Sequence, residues 1–381
     1  MASLAFYDGR PERYKDIGTW DFVQYWSAYR ATSEGLNPYD PENLLPFQRS
    51  VGVEASKVIM MWNPPWVLVL LSPVLRLEFF SAASLWLIIS FFCLAASTQV
   101  AINAMTSKSS IYERCLAIAL LIFFSPAQQG LKYGQLEGLL TLGIALLFLG
   151  FKRKSFVAAG FGLALMSIKP HLFYLLAILI PLFPRPNVQS LSRLLLPTVV
   201  LILLSEFLFR GSVSMWLQAM LSYTPSVPNP INWRSSSFGD FLRGIWEYYY
   251  GFLPQWPRIF VPMLFFGVSG LYIFRSGGKQ LSREKLFLFL LPLSIFSAPY
   301  SWPFDQSVIL VAHVSIVIMV LRSLCSPWLK LSLIASVFCL NLLTLIISEL
   351  FFTYQHHLFW YPLACFALFS IVLLQLKEPL N

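Results

Sequence analysis

Apolar runs of about 15 to 25 residues recur from residue 64 to residue 376, with short polar segments between them. A helix needs about 20 such residues to cross a hydrocarbon layer of ~30 Å. The runs lack the alternating polarity of barrel strands, so the pattern predicts an all-α, polytopic membrane helix bundle of about 10 to 12 membrane segments. These segments are expected near 64–78, 79–100, 113–127, 136–151, 155–183, 193–210, 258–275, 285–298, 305–322, 330–350 and 358–376.

The basic loops predict how the segments are oriented. "RSGGKQLSREK" (275–285) is rich in Lys and Arg and is therefore expected in the cytoplasm, which places "PYSWPFDQ" (299–306) and a long loop at about 211–257 outside. The charge of "FKRKSF" (151–156) also predicts a cytoplasmic position, and 155–183 would then be two short helices that meet near Lys169, with a break at Pro170. Counting four crossings from an external N-terminal region places the same segment outside, so either one segment is re-entrant or the charge rule does not hold for this segment. The charge rule, by which loops rich in Lys and Arg face the cytoplasm, favours the first arrangement.

Composition supports a membrane protein and weakens two other classes. Hydrophobic residues make up 57% of the 381 positions and charged residues only 12%, with a mean hydropathy of +0.66. The net charge of +9 comes mostly from loops between apolar runs, so no nucleic-acid partner is expected. The five cysteines contain no CxxC pair, and no metal site or disulfide framework is predicted.

Two regions are expected. Residues 1–62 are polar and aromatic and form an external N-terminal loop region with amphipathic helices, whereas residues 63–381 form the multi-span membrane domain. In "WDFVQYWSAYR" (20–30), a helix would place Asp21, Tyr25 and Ala28 on one face. Asp21 is then either a functional acid beside an aromatic face or the N-cap of that helix.

Lys169 is the other strong candidate, because an ionisable group inside a long apolar run is costly and usually faces a cavity or a partner. A phosphate or pyrophosphate would suit such a cation, and snorkelling towards an interface is the alternative. Asn63 in "WNPPW" either faces a pocket or simply belongs to a helix start. The remaining pocket candidates are polar or aromatic residues near segment ends and in the external loops: Tyr25, Gln135, Asn232, Trp302 and Asp305.

Six segments in order resemble the polyprenol-phosphate-dependent glycosyltransferases of family 87, which have the GT-C fold and include lipid-linked mannosyltransferases and arabinofuranosyltransferases. The matching segments are "DFVQYWSAYRATSEGLNPYD" (21–40), "WNPPWVLVLLSP" (62–73), "GQLEGLL" (134–140), "AAGFGLALMSIKP" (158–170), "NWRSSSFGDFL" (232–242) and "SAPYSWPFDQ" (297–306).

The resemblance implies an inverting transferase that moves mannose or an arabinofuranose-like sugar from a polyprenyl phosphate to a lipid or glycan acceptor. The reaction would take place on the outer face of the plasma membrane, among membrane lipids and without a metal cofactor. Asp21 would be the general base, and Lys169, with Arg234 as the weaker candidate, would bind the donor phosphate. Many members carry a His-His pair where this chain has Phe304 and Asp305, so a histidine-dependent contact is not expected.

Members normally have a membrane helix ahead of the catalytic acid, and residues 1–20 are too charged to form one. The expectation is therefore that the reading frame extends upstream or that a neighbouring protein supplies the helix. Two other function classes stay open: a lipid or sugar transporter or flippase, in which Lys169 and Asp305 line a translocation path, and an inactive lipid-binding homologue. Transporters tend to carry repeated halves, and no such repeat is evident in the sequence.

Overall fold

The computed structural model describes residues 18–53, 58–182, 187–221, 235–276, 282–350 and 358–375. These residues are mostly helical and contain no strand, so the all-α prediction is confirmed for them. In chain order the helices are α1 Phe22–Ser33, α2 Pro41–Ser50, α3 Trp66–Leu75, α4 Phe79–Met105, α5 Ile111–Ile122, α6 Ser125–Tyr133, α7 Glu137–Arg153, α8 Phe156–Met166, α9 Val188–Leu208, α10 Ser212–Leu221, α11 Phe238–Tyr250, α12 Trp256–Ser276, α13 Arg283–Ser297, α14 Leu310–Arg322, α15 Pro327–Leu350 and α16 Trp360–Gln375. Three 3₁₀ segments, Pro170–Leu172, Tyr174–Leu182 and Pro303–Ile309, interrupt this series.

Fewer helices are long enough to cross a membrane than the hydropathy pattern predicts. Among the described residues, five are long and apolar enough, and the bent pair α5 and α6 makes a sixth if it counts as one span. The predicted count of about 10 to 12 is thus not confirmed. Several predicted segments are short helices; α3, for example, has 10 residues and is only about 15 Å long at 1.5 Å per residue. The five long spans are Phe79–Met105, Val188–Leu208, Trp256–Arg275, Pro303–Arg322 and Pro327–Leu350.

The chain divides into two compact units, the first made of residues 1–91, 130–136 and 197–233 and the second of 92–129, 137–196 and 234–381. In the first unit, the helix expected over 20–32 is present as α1, but nearly every residue of its first two turns is buried. Burial of α1 is therefore not confined to the face that carries Tyr25 and Ala28. In the second unit, Pro303–Arg322, which comprises a 3₁₀ segment and α14, is the most buried of the five long spans of the described residues, with 89% of its most apolar stretch inside the protein.

Helices α7 and α8 form a tightly packed hairpin in the second unit. A Cβ on Gly162 would lie 2.6 Å from the carbonyl oxygen of Gly143 and 2.7 Å from the amide nitrogen of Leu147. Only a residue without a side chain allows this approach, as is common where membrane helices pack closely. The hairpin brings Lys169, just beyond α8, back towards Glu137 at the start of α7.

The break predicted at Pro170 is confirmed, because α8 ends at Met166 and 3₁₀ segments follow. Irregular backbone at membrane depth must find internal hydrogen-bond partners. Ser294 of α13 supplies them: its hydroxyl donates to the carbonyl of Leu172 at 2.7 Å and accepts from the amide of Leu175 at 3.3 Å.

Described residues of the two basic segments meet in the second unit. Lys152 Nζ is 3.1 Å from Glu284 Oε1, and Arg153 donates to the carbonyl of Asn103 at 2.7 Å. This contact agrees with the charge rule, which puts "FKRKSF" on the same side as "RSGGKQLSREK".

Candidate functional site

Two backbone hydrogen bonds fix the start of α1 in the first unit. The amide of Gly18 donates to the carbonyl of Lys132 at 2.9 Å, and the amide of Asp21 donates to that of Tyr133 at 2.8 Å. Gly134 makes this approach possible, because its φ is +70° and a Cβ there would lie 2.1 Å from the carbonyl oxygen of Gly18. Any other residue would push these two segments apart.

The Asp21 carboxylate is held by an amide. Gln135 Nε2 donates to Asp21 Oδ2 at 2.6 Å, and the Tyr25 hydroxyl donates to Gln135 Oε1 at 3.1 Å. The same hydroxyl lies 3.4 Å from Asn63 Oδ1. Tyr25 and Gln135 are buried, whereas Asp21 is only half-buried. The structure therefore brings together Asp21, Tyr25, Asn63 and Gln135, four of the residues predicted from sequence.

The capping alternative for Asp21 is not what the structure shows. Asp21 does occupy the N-cap position of α1, but within the described part of the chain its side chain makes no capping hydrogen bond to the first turn. Its carboxylate points to Gln135 instead. A hydrogen bond donated to a carboxylate stabilises the ionised form, and the remaining exposure leaves the group able to accept a proton from a hydroxyl.

Sequence reasoning missed Trp86, which supports this arrangement from α4. Its indole Nε1 donates to the carbonyls of Gly134 at 3.1 Å and Gln135 at 3.2 Å, and its ring stacks on Phe22 at 6.4 Å. Trp86 thus fixes the backbone of Gln135 and the first residue of α1 together. A tryptophan in an apolar run carries no sequence signal for this role, since the contacts join distant positions.

Lys169 lies in a buried ion cluster of the second unit. Its Nζ is 2.8 Å from Glu137 Oε1 and 2.7 Å from Asp305 Oδ1. It also lies 5.1 Å from the ring centroid of Phe304. Only 8% of Lys169 is exposed, so the snorkelling alternative does not apply.

The carboxylates of the cluster are themselves held from different elements. Asp305 Oδ2 accepts from the backbone amide of Trp302 at 2.7 Å. Glu137 is 2% exposed, and its Oε2 has no hydrogen-bond partner among the described residues. Sequence reasoning named Lys169 and Asp305 but missed Glu137, because an acid at the start of an apolar segment is normal in a first helical turn.

The loop that carries Trp302 is fixed by serines. Ser236 donates its backbone amide to the carbonyl of Ser301 at 2.6 Å, and the Ser301 amide donates to the Ser235 hydroxyl at 3.0 Å. Next to this link, the ring of Tyr300 stacks on His171 at 4.0 Å. Burial raises the pKa of Tyr300 to about 12, so this phenol stays neutral at physiological pH.

Asp240 and Arg243, in "RSSSFGDFLRG" (234–244), form an ion pair with each other. Asp240 Oδ1 accepts from Arg243 at 2.6 Å and from Arg258 at 2.8 Å, while Oδ2 accepts from the Ser235 amide at 2.7 Å. Burial favours the neutral acid, but these hydrogen bonds outweigh it, and the pKa of Asp240 is lowered. Asp240 and Arg243 are both buried, so this group stabilises the fold.

Asn232 and Arg234, predicted to bind ligand, lie outside the described residues. Within those residues, the structure contains no group of three or more His, Cys, Asp or Glu side chains placed to hold a metal ion.

A comparison with protein families identifies the chain. No curated protein and no solved structure matches it. The family model for glycosyltransferase family 87 matches residues 62–340, which is well over half of the 381 residues. The matched range includes Asn63, Gln135, Lys169 and Asp305. The chain therefore belongs to glycosyltransferase family 87.

Proposed function

We propose that this membrane glycosyltransferase transfers a sugar of the mannose or arabinofuranose type from a polyprenyl phosphate to a lipid or glycan acceptor. Family membership supports the reaction class. The observation that carries the more specific proposal is the half-buried Asp21 carboxylate, held at 2.6 Å by the buried Gln135 amide. A carboxylate that is held by a neighbouring amide and keeps part of its surface exposed supports the general-base proposal.

In the proposed reaction, Asp21 takes the proton of the acceptor hydroxyl while the hydroxyl oxygen attacks the anomeric carbon from the face opposite the phosphate. The new C–O bond forms as the bond to the donor phosphate oxygen breaks, and polyprenyl phosphate leaves with that electron pair. The configuration of the anomeric carbon is inverted. General-base help of this kind is typically worth about 10²- to 10⁴-fold in rate.

Lys169 is proposed to stabilise the leaving phosphate. Its Nζ donates to Glu137 and to Asp305. The two carboxylates would hold the ammonium in place, but they also oppose an anionic ligand. Arg234 is the weaker proposal for the same role, and Asn232 and Trp302 stay proposals for the walls of the substrate pocket.

The outer face of the plasma membrane is the proposed location. Lys152 and Glu284 lie together at the end of the second unit where the charge rule predicts the cytoplasm. Helix α7 has 17 residues and so runs about 25 Å from that end to Glu137. The Lys169 cluster would then lie near the outer surface, among the membrane lipids and away from nucleotide sugars or nucleic acid.

A lipid or sugar transporter is the second candidate, and one observation favours it. Lys169 lies beside a broken, partly 3₁₀ segment and pairs with two carboxylates inside the membrane domain, as coupling residues of transporters do. An inactive lipid-binding homologue is the third candidate. In both, Asp21 would have no chemical role.

Asp21→Asn tests the transferase against the other two candidates. The purified protein is assayed with a labelled polyprenyl-phosphate mannose or arabinofuranose, and the variant is expected to lose at least about 10²-fold of its transfer rate with an unchanged melting temperature. Asp40→Asn is the matched control: Asp40 Oδ1 accepts from the Glu42 amide at 3.0 Å as the N-cap of α2, and asparagine caps equally well.

Transfer by Asp21→Asn at more than about a tenth of the wild-type rate would contradict the base assignment. Wild-type protein that moves labelled lipid between leaflets of a vesicle without forming a glycoside would favour the transporter.

A further inference from the structure

Helix α11 buries a charged pair and exposes aromatic side chains at its end, which is unusual for a helix that faces water. Its buried residues are Gly239, Asp240 and Arg243, and the last two are only 2% and 1% exposed. At its end, by contrast, Tyr248 is 83% exposed and Tyr249 is 72% exposed. A helix on an aqueous surface hides its apolar side chains and exposes its charges. The environment outside α11 therefore favours aromatic side chains over charged ones.

The charged face of α11 is fixed, so the exposed tyrosines at its end cannot turn inward. Arg258, in the first turn of α12, donates to Asp240 through Nε at 2.8 Å, and Arg243 Nε donates to the carbonyl of Pro254 at 2.7 Å. A Cβ on Gly239 would lie 3.1 Å from the carbonyl oxygen of Pro257. These contacts hold α11 against residues 254–258.

Residues 254–258 place α11 at one end of a membrane span. The candidate span is Trp256–Arg275, and α11 itself has 13 residues, about 20 Å, too short to cross a ~30 Å hydrocarbon layer. The ring centroid of Trp246 lies 4.5 Å from that of Tyr250 and 5.8 Å from that of Trp256. The exposed aromatic surface of α11 is therefore continuous with the start of the span.

We propose that α11 lies along the membrane interface, with its Tyr248 and Tyr249 and the Phe252 that follows it inserted at the level of the lipid headgroups and glycerol backbone. Tyr and Trp concentrate at this level because their rings are apolar and their O–H or N–H groups stay hydrated. The helix carries Asp240, Arg243 and Glu247, one positive charge against two negative ones. Insertion is thus driven by aromatic burial and does not require anionic lipid.

The test measures the depth of a nitroxide on the full-length protein in phosphatidylcholine nanodiscs. Four cysteines, Cys93, Cys115, Cys325 and Cys339, are replaced by Ser, and the buried Cys365 is kept. A single nitroxide is placed at Tyr249→Cys. Glu34→Cys, in an exposed turn, is the water control, and Val268→Cys, 60% exposed in the middle of α12, is the hydrocarbon control.

We expect the label at Tyr249 to collide with a water-soluble nickel chelate several-fold less often than the label at Glu34. Its collisions with oxygen should fall between those of the two controls, and the result should be the same with and without phosphatidylglycerol. A label at Tyr248 repeats the measurement if Tyr249→Cys does not fold.

Three results would overturn the proposal. Collisions equal to those of Glu34 would mean that α11 faces water. Few collisions with either reagent would mean that protein, such as a second copy of the chain, covers the patch. A depth that appears only with phosphatidylglycerol would mean that charge, not aromatic insertion, holds the helix.

Discussion

Replacing Gln135 by Leu tests whether the amide positions the base. The change keeps the approximate volume of a side chain that is only 7% exposed, and it removes the donor that lies 2.6 Å from Asp21 Oδ2. The Tyr25 hydroxyl also loses its acceptor at 3.1 Å. The perturbation therefore acts on the hydrogen bonds of the site with little change in packing.

The expected size follows from the geometry. Hydrogen bonds to charged groups contribute roughly 1.5 to 3 kcal/mol, and water can partly replace the donor because Asp21 is half-buried, so the lower end applies. About 1.4 kcal/mol corresponds to one pH unit. Losing the donor disfavours the ionised carboxylate, so the acid limb of the pH–rate profile should move to higher pH by about one unit.

The assay is kcat/KM for sugar transfer between about pH 4 and pH 9, because this ratio reports the ionisation of the free enzyme. Gln48→Leu is the matched control in the same unit. Gln48 is fully buried, donates to the carbonyl of Ile59 at 2.7 Å and accepts from its amide at 2.9 Å, but it does not contact Asp21. It should lower the melting temperature without moving the profile.

Superimposable profiles for wild type and Gln135→Leu would refute the positioning role. Equal shifts in both glutamine variants would show that the shift comes from general destabilisation.

Three further predictions concern packing and charge. Gly134→Ala should abolish transfer and lower the melting temperature, because its Cβ would lie 2.1 Å from the carbonyl oxygen of Gly18. Gly35→Ala is the control: its φ is similar, at +76°, but nothing lies within 4 Å of its Cβ, so it should cost only about 1 to 2 kcal/mol of stability and keep activity. Equal effects of the two variants would rule out the close contact as the cause. If Lys169 binds the donor phosphate, Glu137→Gln should lower the KM for the donor by about tenfold, because it removes a negative charge that opposes the phosphate. Lys169→Met should raise the KM for the donor. Changes of the same sign in both variants would contradict the assignment. Asp240→Asn should cost about 3 to 5 kcal/mol at neutral pH, because it breaks a buried ion pair. The pKa of Asp240 is lowered in the folded state, so the stability that its charge contributes is present above the unfolded pKa of about 3.9 and is lost as pH falls through the folded pKa. Acidification below about pH 4 should therefore narrow the difference in melting temperature between wild type and Asp240→Asn. A constant difference would argue against the ion pair.

Hydrophobic patterning by itself determined the class of this protein and several local features. A chain that repeats long apolar runs without alternating polarity can satisfy its backbone in a membrane only as helices. The break at Pro170 follows from the missing N–H and the ring of proline. The order of six short segments led to the family that the family model confirms. The helix at 20–32 was also predictable, although its burial on all sides was not.

Only the tertiary structure decided which polar residues meet. Gln135 reaches Asp21 across 114 positions, and Lys169 pairs with Glu137 and Asp305 across 32 and 136 positions. Such contacts depend on how helices pack, and the sequence of a single helix does not predict them. For the same reason Trp86 and Glu137 could not be singled out in advance.

The count of membrane spans also needed the tertiary structure. Hydropathy measures whether a segment prefers an apolar environment, and lipid and the protein interior both provide one. A short helix such as α3, buried against its own unit, therefore has the same sequence signature as part of a span. The length of each helix, which sets whether it can cross the hydrocarbon layer, is decided by the contacts and breaks that end it.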